Sequence, residues 1–257
     1  MIAPLARLLV LALLLAAGPA GATELVLSLS KPRVTITSSF TGDSIVLFGV
    51  IEPGADAPTD VTYDVVISAR GPNESFVTWR KERRFGLWTN GDSRTFVAAP
   101  SYLAVLSNRP PAQIAAPDIL RQEQAGFAQN RLLQRLGTDY ADVVPGDPFR
   151  QAFLRVKQTQ GLYLERTDAV EFLAPRVFRA AIPLPGIAPV GRYDVVVKLF
   201  ANGDMLKRGA TTLDVAKVDF EQAVATAAQD HAWLYGIVTA LGALMVGFIG
   251  NLVFRRD

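Results

Sequence analysis

Cysteine is absent from this 257-residue chain, and histidine occurs once, as His231. The first absence excludes disulfides and thiolate metal sites, so an exported domain of this protein has to be held by core packing. The second excludes a histidine-built zinc site. His231, two residues before Trp233, has no evident partner for general-base work and reads as an interfacial polar residue. The G-x-S-x-G elbow, the H-E-x-x-H pair, the P-loop and the G-x-G-x-x-G turn are all missing. Neither sign of charge dominates, with 26 Lys and Arg against 24 Asp and Glu, which argues against a nucleic-acid partner. No internal repeat and no low-complexity tract interrupts the chain. Asp139, Asp142 and Asp147 lie close together but lack the spacing of a calcium loop. No catalytic residue, cofactor-binding residue or metal ligand is therefore assigned, and the expectation is a protein that is not an enzyme.

Apolar sequence is concentrated at the two ends. Trp233 to Phe254, WLYGIVTALGALMVGFIGNLVF, contains no Asp, Glu, Lys or Arg. At about 1.5 Å per residue, a helix of this length spans roughly 30 Å, the thickness of a bilayer's hydrocarbon core. Trp233 and Tyr235 suit the headgroup region at one end, and Arg255 and Arg256 follow at the other. Residues 1–22 have the layout of a cleavable secretory signal: Arg7, the apolar run Leu8 to Ala17, then Ala20-Gly21-Ala22 with small residues where a signal peptidase reads. An exported N-terminus, one late span and a basic pair retained inside define one orientation. The chain is expected in a bacterial inner membrane, single-pass, with residues 23–218 in the periplasm and a short cytoplasmic tail, 255–257. The Ala-rich segment 219–232 is expected to be a juxtamembrane helix leading into the span over 233–254.

Between the ends, short β-patterned runs follow one another. Arg33 to Thr37 alternates, Ser44 to Ile51 is apolar on both faces, and Val61 to Ala69 sets Tyr63, Val65 and Ile67 against Asp64 and Ser68. Phe76 to Leu87 reads as a longer strand, with a turn at Thr89-Asn90-Gly91-Asp92. The period then changes. Pro100 to Asn108 and Pro117 to Leu136 read as helices. A third is better defined, with Asp147 as N-cap, Pro148 at the first position, an apolar stripe of Phe149, Ala152, Phe153 and Val156, and Gly161 as C-cap. Strands resume at Val177, and Asn202-Gly203 suits a type I′ hairpin. Gly191-Arg192-Tyr193 resembles the tyrosine corner of immunoglobulin-like domains. The expected fold is mainly β, an immunoglobulin-like β-sandwich with a helical insertion at about 100–160, plus one C-terminal transmembrane helix.

Two surfaces stand out. Trp79 to Trp88, WRKERRFGLW, is the densest basic and aromatic cluster, and Arg80, Lys81, Arg83 and Arg84 could face an anion, a lipid headgroup or an acidic partner. A solvated edge strand, whose charges discourage aggregation, is the alternative. In the apolar tail, Ala232, Gly236, Ala240, Ala243, Gly247 and Gly250 share one helix face, where small residues let a second helix approach closely.

The plan of leader, β-rich exported domain with a helical middle, and late span with a basic end resembles an alphaproteobacterial family of transmembrane proteins. Phe48-Gly49, Trp79-Arg80, Tyr102 and Gly191-Arg192-Tyr193 carry the resemblance. That resemblance implies an accessory role beside sulfite-exporter-like permeases and brings no site residue with it. The expected function is a membrane-anchored, non-enzymatic accessory protein with two partners, the lipid bilayer and an integral membrane protein, or a second copy in place of the latter. The alternative is a tethered periplasmic hydrolase or carbohydrate-active domain using carboxylates.

Overall fold

A computed structural model of the chain describes residues 23–54, 61–136, 139–217 and 232–254. The expected signal 1–22, the joining segment 219–231 and the tail 255–257 lie outside the described residues. The chain divides into two units, 1–34 with 41–215 and 35–40 with 216–257.

Three sheets build the first unit. One has the order β1 (Glu24–Leu29), β3 (Gly42–Glu52), β12 (Val177–Pro185), β11 (Val170–Ala174), with every neighbour antiparallel. The second runs β10 (Tyr163–Arg166), β7 (Leu103–Ser107), β4 (Tyr63–Arg70), β13 (Gly191–Ala201), β14 (Asp204–Lys217), β2 (Arg33–Ile36), with β10 and β7 parallel. The third runs β5 (Asn73–Arg84), β6 (Leu87–Pro100), β8 (Leu133–Leu136), β9 (Asp139–Asp142). Helices α1 (Pro111–Ile114), α2 (Pro117–Gln122) and α3 (Pro148–Thr159) complete this unit. The second unit carries α4 (Ala232–Phe254).

Period-two alternation orients the core. In β3, Ile45, Leu47 and Ile51 are buried, and a Cβ at Gly49 would fall inside the buried ring of Phe178 on β12. Leu25 and Leu27 of β1 pack on Gly209 of β14, and the Tyr102 hydroxyl donates to the Pro183 carbonyl, so the inner faces of the first two sheets meet. The outward side chains of β3 stay open, Phe48 being 41% exposed. A strand buried on both faces is thus not found there. It is found in β4, where Tyr63 to Ala69 are all buried. The Asn202-Gly203 turn forms as expected, with φ of 52° and 94°, and the Tyr193 hydroxyl donates to the Pro189 carbonyl at 2.6 Å.

The region 100–160 departs from an all-helical insertion. Pro100 to Asn108 is not helix: it contains β7, whose Leu103 to Ser107 are buried between β4 and β10. A short apolar run buried on both sides has no periodicity to separate strand from helix. The expected helix from Pro117 ends at Gln122, because the backbone turns left-handed at Gln124 and again at Gly126, and β8 and β9 follow. Only α3 forms as read, with the Asp147 carboxylate accepting from the Phe149 and Arg150 amides at 2.8 and 3.1 Å and Gly161 at φ 70°. Its buried face is Arg150, Phe153 and Lys157, while Val156 is exposed. Phe153 is the hub: its ring lies 4.9 Å from Phe96, 5.5 Å from Phe76 and 5.8 Å from Tyr163. That cluster roots the β5–β6 ribbon on the body of the domain.

Among the described residues no helix is long and apolar enough to cross a membrane. The backbone of α4 coincides with the expected span, but its described side chains are interrupted at 234, 235 and 238 and stop at 251.

Replacing Gly49 by Ala should destabilise the domain by about 1–3 kcal/mol through the collision with Phe178. Combining it with Phe178→Leu should recover part of that loss, as a double-mutant cycle of urea midpoints would show. Asp147→Ala removes the α3 cap and its 3.2 Å ion pair with Arg94, lowering stability by about 1–2 kcal/mol in the same assay.

Candidate functional site

The basic and aromatic segment forms the outer half of a two-stranded ribbon. Its turn lies at Phe85-Gly86, with φ of 50° and 81°, the double positive φ that a type I′ turn requires. The turn expected at Thr89 to Asp92 is instead part of β6, where the register shifts so that Gly91 and Asp92 both oppose Arg80. Two residues against one is a bulge, which absorbs the Asn-Gly turn signal without reversing the chain. β8 joins β6 only at Phe96 and Val97, so nothing else in the sheet pairs with the ribbon beyond them.

Up to Arg84 the side chains alternate, with Arg80, Glu82 and Arg84 on one face. Arg80 and Arg84 both reach Glu82, at 2.9 and 3.1 Å, and Arg80 also pairs with Asp92 at 2.7 Å. Lys81 donates to Asn90 Oδ1 at 2.6 Å, and Arg83 opposes Trp88 with a long 3.4 Å bond to the Gly86 carbonyl. Hydrogen bonds from both arginines hold the Glu82 carboxyl below its ordinary value. The four expected cations are thus brought together on one ribbon, and three of them are tied to neighbouring side chains. The strand expected to continue to Leu87 instead reverses at Phe85-Gly86, which leaves an apolar tip. Phe85 is fully exposed, Leu87 is 71% and Trp88 70% exposed.

In α4, Ala232, Gly236, Ala240, Ala243, Gly247 and Gly250 fall within an arc of about 80° at 100° per residue. A Cβ at Gly236, Gly247 or Gly250 would meet nothing within 4 Å. The large side chains around them, among them Leu241, Leu244, Val246 and Phe248, are exposed on every side of the helix.

Sequence reasoning missed a row of cations across the second sheet, in which Lys198 is buried, Arg70 half-buried and Arg208 exposed. Asp64, Ser68 and Arg70 of β4 share one face with Lys198 of β13 and Arg208 of β14, the last two directly opposite in register. Residues 123–130 cover that face. Arg70 donates to Gln124 Oε1 and Asn130 Oδ1 at 2.7 and 2.8 Å, Lys198 Nζ to the Gln124 carbonyl at 3.0 Å, and Arg208 pairs with Glu123. Burial, aided by the nearby Arg70 and Arg208 charges and opposed by Glu123, pushes the Lys198 ammonium down to about 7. The sequence signal at Lys198 is a lone charge within the apolar run from Val195 to Ala201.

A cleft of about 450 Å³ lies beside this row, lined by Asp64, Arg109, Thr62, Gln113 and Asn202. Asp64 is buried and is the one carboxylate among the described residues of its lining; Arg109 and Asn108 both donate to it. Among the described residues no second carboxylate lines this cleft. Asp142 pairs with Arg131 at 3.1 Å, and Asp147 serves the α3 cap.

Because the folded state holds Lys198 partly neutral near pH 7 and the unfolded chain titrates it near 10.5, the penalty for burying the charge is full below pH 7. It is relieved as pH rises from 7 towards 10. The urea midpoint should therefore rise over that range, and Lys198→Met, which carries no charge to bury, should remove this rise.

A search of curated proteins finds no match to the chain. A protein-family match spans residues 24–256, nearly the whole length. The chain therefore belongs to the family described as "Putative transmembrane protein (Alph_Pro_TM)".

Proposed function

We propose that this chain is a single-pass membrane protein working by association, an accessory subunit whose exported β domain is carried beside an integral, permease-like partner. The observation that carries this reading is α4. Its described large apolar side chains are exposed all round, and a helix apolar on every side belongs in a protein core or a bilayer. The whole stretch 233–254 lacks a charged residue and matches the bilayer core in length. Membership of a family described as transmembrane agrees with it. Lipid offers no hydrophobic drive for helix association, so the open small-residue arc from Ala232 to Gly250 supplies close backbone packing.

The exported part is read as immunoglobulin-like. The order β1-β3-β12-β11 corresponds to strands A-B-E-D, and β14-β13-β4 to G-F-C, with the chain visiting them in that alphabetical order. Tyr193, near the start of the strand equivalent to F, bonds back to Pro189 as a tyrosine corner does. Everything from β5 to β10 is then one insertion between C and D, and it carries both the ribbon and the cation-clamped loop. Residues 1–22 act as the leader, and the β domain faces the periplasm.

Extraction of the full chain from bacterial inner membranes in mild detergent, followed by native electrophoresis and mass spectrometry, tests the association. The native chain should migrate with a partner, and Ala243→Ile or Gly247→Ile should release it. A monomer in every case would remove the docking idea. Recovery of protein beginning at Met1 would remove the cleaved leader.

A further inference from the structure

The ribbon tip is built against local preference. Phe85 sits at φ 50°, where a bulky side chain is disfavoured and Asn or Gly is usual. Its ring has no cover, and neither Leu87 nor Trp88 is buried beside it. Placing three large apolar side chains around a two-residue turn therefore opposes both the backbone and the hydrophobic effect in the free domain. Immediately behind them, between Trp79 and Asp92, Arg80, Lys81, Arg83 and Arg84 outnumber Glu82 and Asp92 by two. Among the described residues Arg83, cross-strand from Trp88, has only a long bond to the Gly86 carbonyl to hold its guanidinium.

An apolar and aromatic tip with a basic collar matches the layered chemistry of an anionic bilayer surface. Aromatic rings favour the headgroup boundary, acyl chains accept the aliphatic and phenyl groups, and lipid phosphates accept guanidinium hydrogen bonds. We propose that the β5–β6 tip inserts Phe85, Leu87 and Trp88 into the interface of an anionic membrane, with Arg83 and Arg84 on the headgroup phosphates. The ribbon is then a second membrane contact of the exported domain, distinct from α4. Each apolar group is worth only a modest binding energy, so a lone tip would bind transiently. Tethering on the same chain as a membrane helix raises the local concentration of lipid at the tip, and for that proximity alone the idea rests on the anchored reading above.

The three tryptophans separate the two ideas experimentally. In the full chain, Trp79→Phe with Trp233→Phe leaves Trp88 as reporter of the tip, and Trp79→Phe with Trp88→Phe leaves Trp233 as reporter of α4. Both are reconstituted in vesicles of phosphatidylcholine with about a third phosphatidylglycerol, with and without acyl-chain-brominated lipid as quencher. Trp88 emission should fall about twofold with brominated lipid, and much less in pure phosphatidylcholine or after Arg83→Glu with Arg84→Glu. Phe85→Ser should also weaken the quenching, although the turn itself tolerates Ser better than Phe. Unquenched Trp88 in the anionic vesicles, with Trp233 quenched, overturns the wedge and leaves the anchor standing; the tip would then face protein. Quenched Trp88 with unquenched Trp233 upholds the wedge and overturns the anchor.

Discussion

The need to partner buried cations governs how this domain is assembled. Lys198 is buried on β13 between half-buried Arg70 of β4 and the more exposed Arg208 of β14, and Arg150 of α3 is buried against the same covering segment. Residues 123–130 answer all four. Arg150 donates to the carbonyls of Ala128 and Asn130 at 3.1 and 2.7 Å, adding to the bonds that Glu123, Gln124 and Asn130 accept from the sheet. An unpartnered buried charge would cost several kcal/mol, so the contacts of Lys198 and Arg150 are conditions of folding more than additions to stability. They fix an irregular segment that has few regular backbone bonds of its own, including the left-handed turn at Gln124.

That clamp has consequences for the rest of the insertion. With residues 123–130 held on the sheet and Arg150 held on them, α3 is placed so that Phe153 meets Phe76 and Phe96 at the base of the ribbon. Lys157 adds its ammonium 3.7 Å from the centre of the Phe76 ring, one turn along the same face. The ribbon is therefore packed at its root and exposed at its tip. A projecting two-stranded element with an apolar end is a poor contributor to domain stability. It is well placed to meet something outside the domain.

Some of this was legible in the residues. Asp147-Pro148 announced α3 because a capping carboxylate and a proline act locally, through the first-turn amides, whatever surrounds them. Asn202-Gly203 announced its hairpin for the same reason, since positive φ is a property of the dipeptide. Asn90-Gly91 carried the same signal and was overridden, because cross-strand pairing continued through it as a bulge and the reversal went to Phe85-Gly86. The apolar stripe of α3 was read one position off: the helix buries Arg150 and Lys157 because carbonyls and an aromatic ring wait for them, while Val156 is left outside.

By itself the sequence determined what depends on neighbours along the chain: alternation in the strands, the cap of α3, the I′ turn, the tyrosine at the head of β13, and an uncharged stretch long enough for a bilayer. Tertiary structure alone decided which alternating strand is covered on both sides, and it is β4 and not β3, because the polar face of β4 acquires a lid from residues 123–130. It also turned Leu103 to Ser107 into a strand, since a short apolar run takes the conformation of the edge it pairs with. The basic cluster gained its meaning in the same way. Its charges lie on β5, a solvated edge strand as the alternative reading expected, and the register of β5 with β6 sets them behind an exposed aromatic turn, with Phe85 at the reversal and Trp88 across from Arg83.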